Sequence, residues 1–226
     1  MENVVISLGG SVIFSEAVDI HFFNKLINLL KKLSKNYKIF IIAGGGKTAR
    51  TYIKLGRTLG FNEETLDKIG IDITRINAKF LANLIEDSNK IVPLTTDEAK
   101  KLRNNVIFMG GTTPGHSTDM VGAELAEKTK ASSYIIATNV DGVYDKDPNI
   151  YPDAKKFDEI SIKHLIEQYG TKWESAGKNT VIDGPALEII NRAKIPTFVL
   201  NGKKLEELEK AITNQTVSYT HLTLPT

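Results

Sequence analysis

The sequence predicts an α/β fold, a three-layer αβα sandwich around a mainly parallel central sheet. Three observations predict it. Short apolar runs at 4–8, 39–43, 106–109, 134–138 and 197–200 alternate with stretches of helical spacing, the pattern of parallel strands joined by crossover helices. The run Ile39, Phe40, Ile41, Ile42, Ala43 is continuously apolar, as a strand covered on both faces must be. Three of the strands run into glycine clusters, at 9–10, 44–46 and 110–111, which hold seven of the 17 glycines. Glycine at a strand end permits positive φ and lets a ligand approach bare N–H groups. If these strands lie side by side, their ends form one anion-lined crevice, the place where open α/β sheets bind ligands.

Each element follows in order. The first strand covers 4–8. Asp19 is expected to cap a helix whose Phe22, Phe23, Leu26, Ile27, Leu30 and Leu33 fall at helical spacing. The strand over 39–43 leads to a helix over 47–59, ended by Gly60. A longer helix over 63–86 follows, then short strands over 91–94 and 106–109. A helix over 118–130 precedes a buried strand over 134–138 and a turn-rich segment over 139–152. Helices over 161–169 and 181–193, a strand over 197–200 and a helix over 204–212 complete the fold. No linker divides the chain, so a single domain over 1–216 is expected. The ending SYTHLTLPT carries no period that fits what precedes it, so residues 217–226 are expected to lie outside the fold.

Composition narrows the function. The 226 residues are 41% hydrophobic and 25% charged, with net charge +2, ordinary for a globular protein. That balance gives no reason to expect nucleic acid or a membrane as partner. There is no cysteine, which excludes disulfides and thiolate metal sites. The start MENVVISLGG lacks the basic region and apolar length of a signal peptide. No apolar stretch approaches the roughly 20 residues of a membrane span. A cytoplasmic protein is expected.

The motifs point to phosphate. Gly44-Gly45-Gly46-Lys47-Thr48-Ala49-Arg50 lies between a strand and a helix, and a helix N-terminus offers free N–H groups and partial positive charge to an anion. Gly46-Lys47-Thr48 is like the end of a P-loop, but that loop needs glycine where Ile41 stands. Gly44-x-Gly46-x-x-Ala49 satisfies the looser dinucleotide fingerprint. A plain strand–helix turn would also use such glycines. Arg50, one turn into the helix, can fork onto two phosphate oxygens. The loop from Gly110 to Asp119 is crowded with hydroxyls and backbone donors, although Thr118 or Asp119 could simply be a cap. His116 within it is a candidate base or a loop donor. The segment Ala137-Thr138-Asn139-Val140-Asp141-Gly142-Val143-Tyr144-Asp145-Lys146-Asp147-Pro148 is the most specific stretch, though its aspartates, glycine and proline are also turn formers.

That last segment resembles the nucleotide-gripping T-x-V-D-G-V-Y/F-x-x-D-P sequence of the amino-acid kinase family. The resemblance extends over about 1–216. G-G-S follows the first strand, G-G-G-x-x-A-R the second, G-G-x-x-P-G-x-x-T-D stands midway, and V-I-D precedes the penultimate helix. Within the family the combination is similar to the uridylate (UMP) kinases, the archaeal type in particular. Relatives that act on acylglutamate or isopentenyl phosphate usually show a histidine beside the triple glycine. Here Ala43 precedes it and Lys47-Thr48-Ala49-Arg50 follows.

The resemblance implies ATP-dependent phosphorylation of UMP, with Mg²⁺ carried by the nucleotide phosphates and no metal site of the protein's own. It implies a phosphate-acceptor half over 1–130, an ATP-binding half over 131–216, and a homohexamer built from dimers. Gly9, Gly10, Gly46 and Arg50 would face the ATP phosphates and the transferred group, and Gly45 the UMP phosphate. Asp67 matches an aspartate that accepts from the ribose hydroxyls. Thr113, Pro114, Gly115, His116, Ser117, Thr118 and Asp119 match the loop that wraps UMP. Thr138, Asn139, Tyr144 and Asp147 match positions that hold adenine and ribose. Asp183 matches an aspartate near the metal and the lysines, and reads equally well as a helix cap.

One departure stands out. Many family members carry a lysine on the first strand where this chain has Ser7. Lys47 is the main candidate to replace that charge and Lys178 the second; either is equally a surface residue.

Overall fold

The computed structural model describes residues 1–14, 19–171, 182–213, 215 and 220–224. The first strand, β1 (Glu2–Leu8), enters a single helical turn, α1 (Gly10–Ile13). Next come α2 (Ile20–Leu33), β2 (Tyr37–Ala43), α3 (Gly46–Thr58), α4 (Glu63–Asn83), α5 (Thr96–Lys101) and β3 (Val106–Met109). The second half runs α6 (Thr118–Thr129), β4 (Ser133–Thr138), β5 (Glu159–Ser161), α7 (Ile162–Tyr169), α8 (Gly184–Ala193), β6 (Thr197–Asn201), α9 (Leu205–Ile212) and β7 (Thr220–Thr223).

These strands form one sheet in the order β3-β2-β1-β4-β6-β7-β5. Every neighbouring pair is parallel except β6 and β7. The mainly parallel sheet expected from the sequence is therefore present. From β1 the order grows one way through β2 and β3 and the other way through β4 and β6. The gap at the ends of β1 and β4 is thus the switch point where such sheets open a crevice.

Strand alternation divides the core into two layers. Val4, Ile6 and Leu8 of β1 pack with Ile39 and Ile41 of β2 and with Phe22, Leu26 and Leu30 of α2. Val5, Phe40 and Ile42 face the other way, onto Val121 and Leu125 of α6 and Leu187 and Ile190 of α8. Each such side chain, fully buried, contributes about 1.5–3 kcal/mol. The same alternation turns Ser7, two residues after Val5, toward the α6 side.

Caps mark several helix starts. Asp19 accepts from the Phe22 N–H at 2.9 Å, as the sequence suggested, and Asn62 accepts from Thr65 at 2.8 Å. Helix α3 stops at Thr58, and Gly60 takes positive φ (+83°) just beyond it.

Three expectations need correction. Residues 91–94 form no strand: Pro93 removes a ladder donor, and Ile91 is 85% exposed, so this edge has nothing to pack on. The short helix α5 stands beyond it, started by Thr95, whose hydroxyl accepts from the Glu98 N–H at 3.1 Å. The cap of α6 is neither Thr118 nor Asp119 but Ser117, whose hydroxyl accepts from Met120 at 2.9 Å. Finally, residues 220–223 do not lie outside the fold. They form β7 between β6 and β5, with Thr220 and Leu222 fully buried. The Thr220 hydroxyl accepts from the Val143 N–H at 2.9 Å and donates to the Phe157 carbonyl. A four-residue alternation is too short to stand out in the sequence.

Candidate active site

Two glycine turns meet at the switch point. The Gly9 N–H donates to Ala137 O on β4 at 2.8 Å, and Gly44 N donates to Leu8 O at 2.9 Å, so the loops after β1, β2 and β4 are joined by backbone bonds. The first two loops then touch. A Cβ on Gly10 would lie 2.0 Å from Gly46 N, and one on Gly46 would lie 2.7 Å from Gly10 O. Gly46 also has φ +63° and begins α3. No side chain fits either place, and the bare N–H groups of a helix start are brought beside those of the neighbouring turn.

A cleft of about 590 Å³ opens above this junction. Gly9, Gly10, Gly45, Gly46 and Arg50 line one side; Thr118 and Asp119 lie at the start of α6; Thr138, Asn139, Tyr144 and Asp147 come from the β4 end and its loop. The structure thus gathers eleven residues singled out in the sequence into one cavity. Lys47 is exposed and is not among the lining residues. Lys178 lies outside the described residues.

The Gly110–Gly111 cluster does something else. It packs on α4, where a Cβ on Gly110 would stand 2.6 Å from the Thr74 hydroxyl. The Gly111 N–H donates to that hydroxyl at 2.7 Å. The loop beyond is held from two sides. Arg75 donates to Gly111 O and Thr112 O at 3.1 and 3.0 Å, and the Asp67 carboxylate accepts from Gly115 N–H at 2.7 Å. At the far end, Ser117 donates to Asp183, which in turn caps α8 by accepting from Ala186 at 2.8 Å. Thr113, Pro114, Gly115, His116 and Ser117 therefore belong to a strap beside the cleft that spans from α4, where Asp67 holds it, to α8. Within it the buried Nδ1 of His116 and hydroxyl of Thr112 have no hydrogen-bond partner among the described residues.

Sequence reasoning missed Thr74, Arg75 and Asn77. Asn77 donates to Gly44 O at 2.8 Å and so fixes the central glycine turn. A signal existed: Thr74 and Asn77 are polar residues three apart on the apolar face of α4, a place where polar groups need partners.

Charge is unevenly placed. Asp147 accepts from Asn149 N–H at 2.9 Å, and Lys146 pairs with Asp153 at 2.6 Å. Asp141 is held below the usual carboxylate range by the Asn201 side-chain bond first, with Lys204 adding to it. Ser7 donates to Asp119 at 2.6 Å. Burial pushes the Asp119 carboxyl up to about 6, against that bond. Burial, then the Asp119 charge, pushes Asp183 up to about 7. Two interacting acids titrate as a pair rather than singly.

The sequence model of the Amino acid kinase family matches residues 2–201. The chain belongs to the amino acid kinase family. Among its relatives, the uridylate kinase of Thermoplasma volcanium is 46% identical over 200 residues, 88% of each chain. That of Methanocaldococcus jannaschii is 43% identical over 222 residues, covering 95% of this chain and 98% of the relative. The solved uridylate kinase of Archaeoglobus fulgidus superposes with TM-score 0.86 at 40% identity, covering 99% of this chain and all of that one. This amino acid kinase thus carries its family's fold from β1 to the end of the sheet. The two touching glycine turns lie at the heart of the matched region.

Proposed function

We propose that the chain is a uridylate kinase, transferring the γ-phosphoryl group of ATP to the phosphate of UMP to give ADP and UDP. The observation that carries the reading is the contact between the β1 and β2 glycine turns. It puts two anion-binding backbone loops and Arg50 against one spot, where a donor and an acceptor phosphate could meet. The uridylate kinases among the relatives support the choice of nucleotide.

In this reading ATP lies along Thr138, Asn139, Tyr144 and Asp147, with its phosphates on Gly9, Gly10 and Gly46. UMP lies along the 112–119 strap with its phosphate toward Gly45. Asp67 keeps one carboxylate oxygen for the ribose hydroxyls, the other being taken by Gly115 N–H. Phosphoryl transfer asks the protein for positioning and for neutralisation of charge. The glycine N–H groups and the Arg50 fork supply these. In this reading Mg²⁺ is held by the nucleotide's own phosphates. Bound there, it would neutralise charge on the transferred group.

The proposal includes assembly as a homohexamer and a cytoplasmic location. Tyr52 and Leu55 of α3 and Leu59 just beyond it are exposed apolar residues, the kind of surface that marks a protein contact. Among the described residues no helix is long and apolar enough to cross a membrane.

The test is ADP release from ATP with a panel of acceptors: UMP, CMP, AMP, isopentenyl phosphate and acetylglutamate. Turnover with UMP at least tenfold above every other acceptor is expected. Faster turnover with isopentenyl phosphate or acetylglutamate, or ATP binding with no turnover at all, overturns the reading.

A further inference from the structure

Two glycine clusters at different strand ends rest on one stretch of α4. Gly44 and Gly45 follow β2; Gly110 and Gly111 follow β3. A Cβ on Gly110 would stand 2.7 Å from Arg75 N and 2.8 Å from the Thr74 carbonyl carbon, so the end of β3 lies against the helix backbone. A Cβ on Gly45 would stand 3.6 Å from the Thr74 methyl and 3.8 Å from Gly70 O. Polar side chains of the same stretch reach both loops. Both backbone groups of Gly111 are taken, its N–H by the Thr74 hydroxyl at 2.7 Å and its carbonyl by Arg75 at 3.1 Å. The Gly44 carbonyl accepts from Asn77 at 2.8 Å.

Thr74 meets the two loops with its two branches. Its hydroxyl donates to Ile71 O at 2.6 Å within the helix and accepts from Gly111 N–H. Its methyl lies under Gly45. Neither serine nor valine carries both groups. Thr74 and Asn77 are 7% and 8% exposed. Burying a hydroxyl and an amide is unfavourable unless they find partners, and the partners here are the two loops. A buried backbone group that loses its partner carries the full cost of its own desolvation. Gly44 and Gly111 are therefore expected to shift when either side chain is removed. Gly44 lines the cleft together with Gly45 and Gly46, and the strap that Gly111 opens leads to Thr118 and Asp119 in the cleft wall. Thr74 and Asn77 are not among the lining residues.

We propose that Thr74 and Asn77 are positioning residues for the transfer, one for each loop. Asn77 acts through Gly44 on the turn that carries Gly45 and Gly46. Thr74 acts through Gly111 on the strap. Helix α4 is then the common base that holds the acceptor against the phosphate turn. In-line transfer tolerates little misplacement, and a shift of about 1 Å can cost a hundredfold in rate. The two side chains fail differently. Losing Asn77 disturbs the turn where the transferred group is to lie, and lowers kcat. Losing the Thr74 hydroxyl releases the strap, and weakens the hold on UMP. The adenosine of ATP, placed on Thr138, Asn139, Tyr144 and Asp147, depends on neither.

This inference rests on the uridylate kinase reading, and the experiment separates the two. The measurement is steady-state kinetics with UMP and ATP varied in turn, because KM and kcat report the two loops separately. Thr74→Val is expected to raise KM for UMP by about tenfold or more and to leave KM for ATP within about twofold. Thr74→Ser, which restores the hydroxyl, is expected to bring KM for UMP back to within about threefold of wild type. Asn77→Ala and Asn77→Asp, neither of which donates to Gly44 O, are expected to lower kcat by about tenfold or more with KM for UMP within about threefold. A rise of both KM values together, or a Thr74→Ser enzyme no better than Thr74→Val, is what a merely structural role would give, and either overturns the proposal. Kinetics like those of wild type in all four variants overturn it too. Thermal unfolding identifies a variant that does not fold, and the other position then carries the test. If wild type prefers another phosphate acceptor, the uridylate reading alone fails, and the same split is measured with that acceptor. If wild type turns over no acceptor, the kinase reading fails, and the split is read from the Kd for UMP. Weaker binding in Thr74→Val, restored in Thr74→Ser, upholds the role of Thr74. Equal affinity in the two, or no binding of UMP by wild type, overturns it.

Discussion

Lys47 lies in the first turn of α3 and Arg50 just beyond it; both are exposed, and only Arg50 lines the cleft. From the sequence Lys47 is the main candidate for the missing first-strand charge; Arg50, which lines the cleft, is the candidate we propose beside it. A guanidinium fork can make two parallel hydrogen bonds to a phosphate, where an ammonium acts as a point charge. Arg50→Ala is therefore expected to lower kcat/KM by about a hundredfold or more, the scale of losing a transition-state donor. Lys47→Ala is expected to stay within about threefold of wild type. Steady-state kinetics on the two variants decides, and the reverse order would return the role to Lys47. The residue scale also shows where reading a sequence stops. Asp119 and Asp183 could be marked as site or cap residues from their motifs. The bond from Ser117 to Asp183 needs two segments 66 residues apart to meet, which no local pattern carries.

At the scale of elements, legibility followed burial. β1, β2, β4 and β6 are covered on both faces, so their apolar runs were plain. Residues 91–94 were as apolar but lie at an edge beyond β3, interrupted by Pro93. β7 was missed because its alternation spans four residues and its partners lie on β5 and β6. The third glycine cluster was read as a phosphate loop like the other two; its glycines instead let the strand end approach α4. Helix α3 raises a different matter. Its inner residues Ala49 and Ile53 are buried, but Tyr52, Leu55 and Leu59 form a second apolar stripe, each more than half exposed. An amphipathic helix with two apolar faces needs two partners. The second is expected to be another copy of the chain. Leu55→Asp with Leu59→Asp is expected to lower the mass measured by light scattering from that of a hexamer to a smaller species. A wild-type protein that is already monomeric contradicts this assembly.

At the scale of the whole molecule, the sheet places the two halves proposed to hold the nucleotides on either side of one gap. β1 and β2 carry the glycine turns, β4 carries the segment from Thr138 to Asp147, and β1 pairs with β4 along five residues. The strap from Gly111 to Ser117 is fastened to α4 at one end and to α8 at the other. It therefore spans from the half expected to hold UMP to the half expected to hold ATP. The central claim is that donor and acceptor phosphates share the single cleft at the β1/β4 switch point. A molecule that joins adenosine and uridine through five phosphates should then fill both positions at once. Calorimetric titration with this compound is expected to show one molecule bound per chain, at least tenfold tighter than ATP and displaceable by neither nucleotide alone at equal concentration. Two independent binding events per chain, or an affinity no better than that of ATP, would contradict a shared cleft.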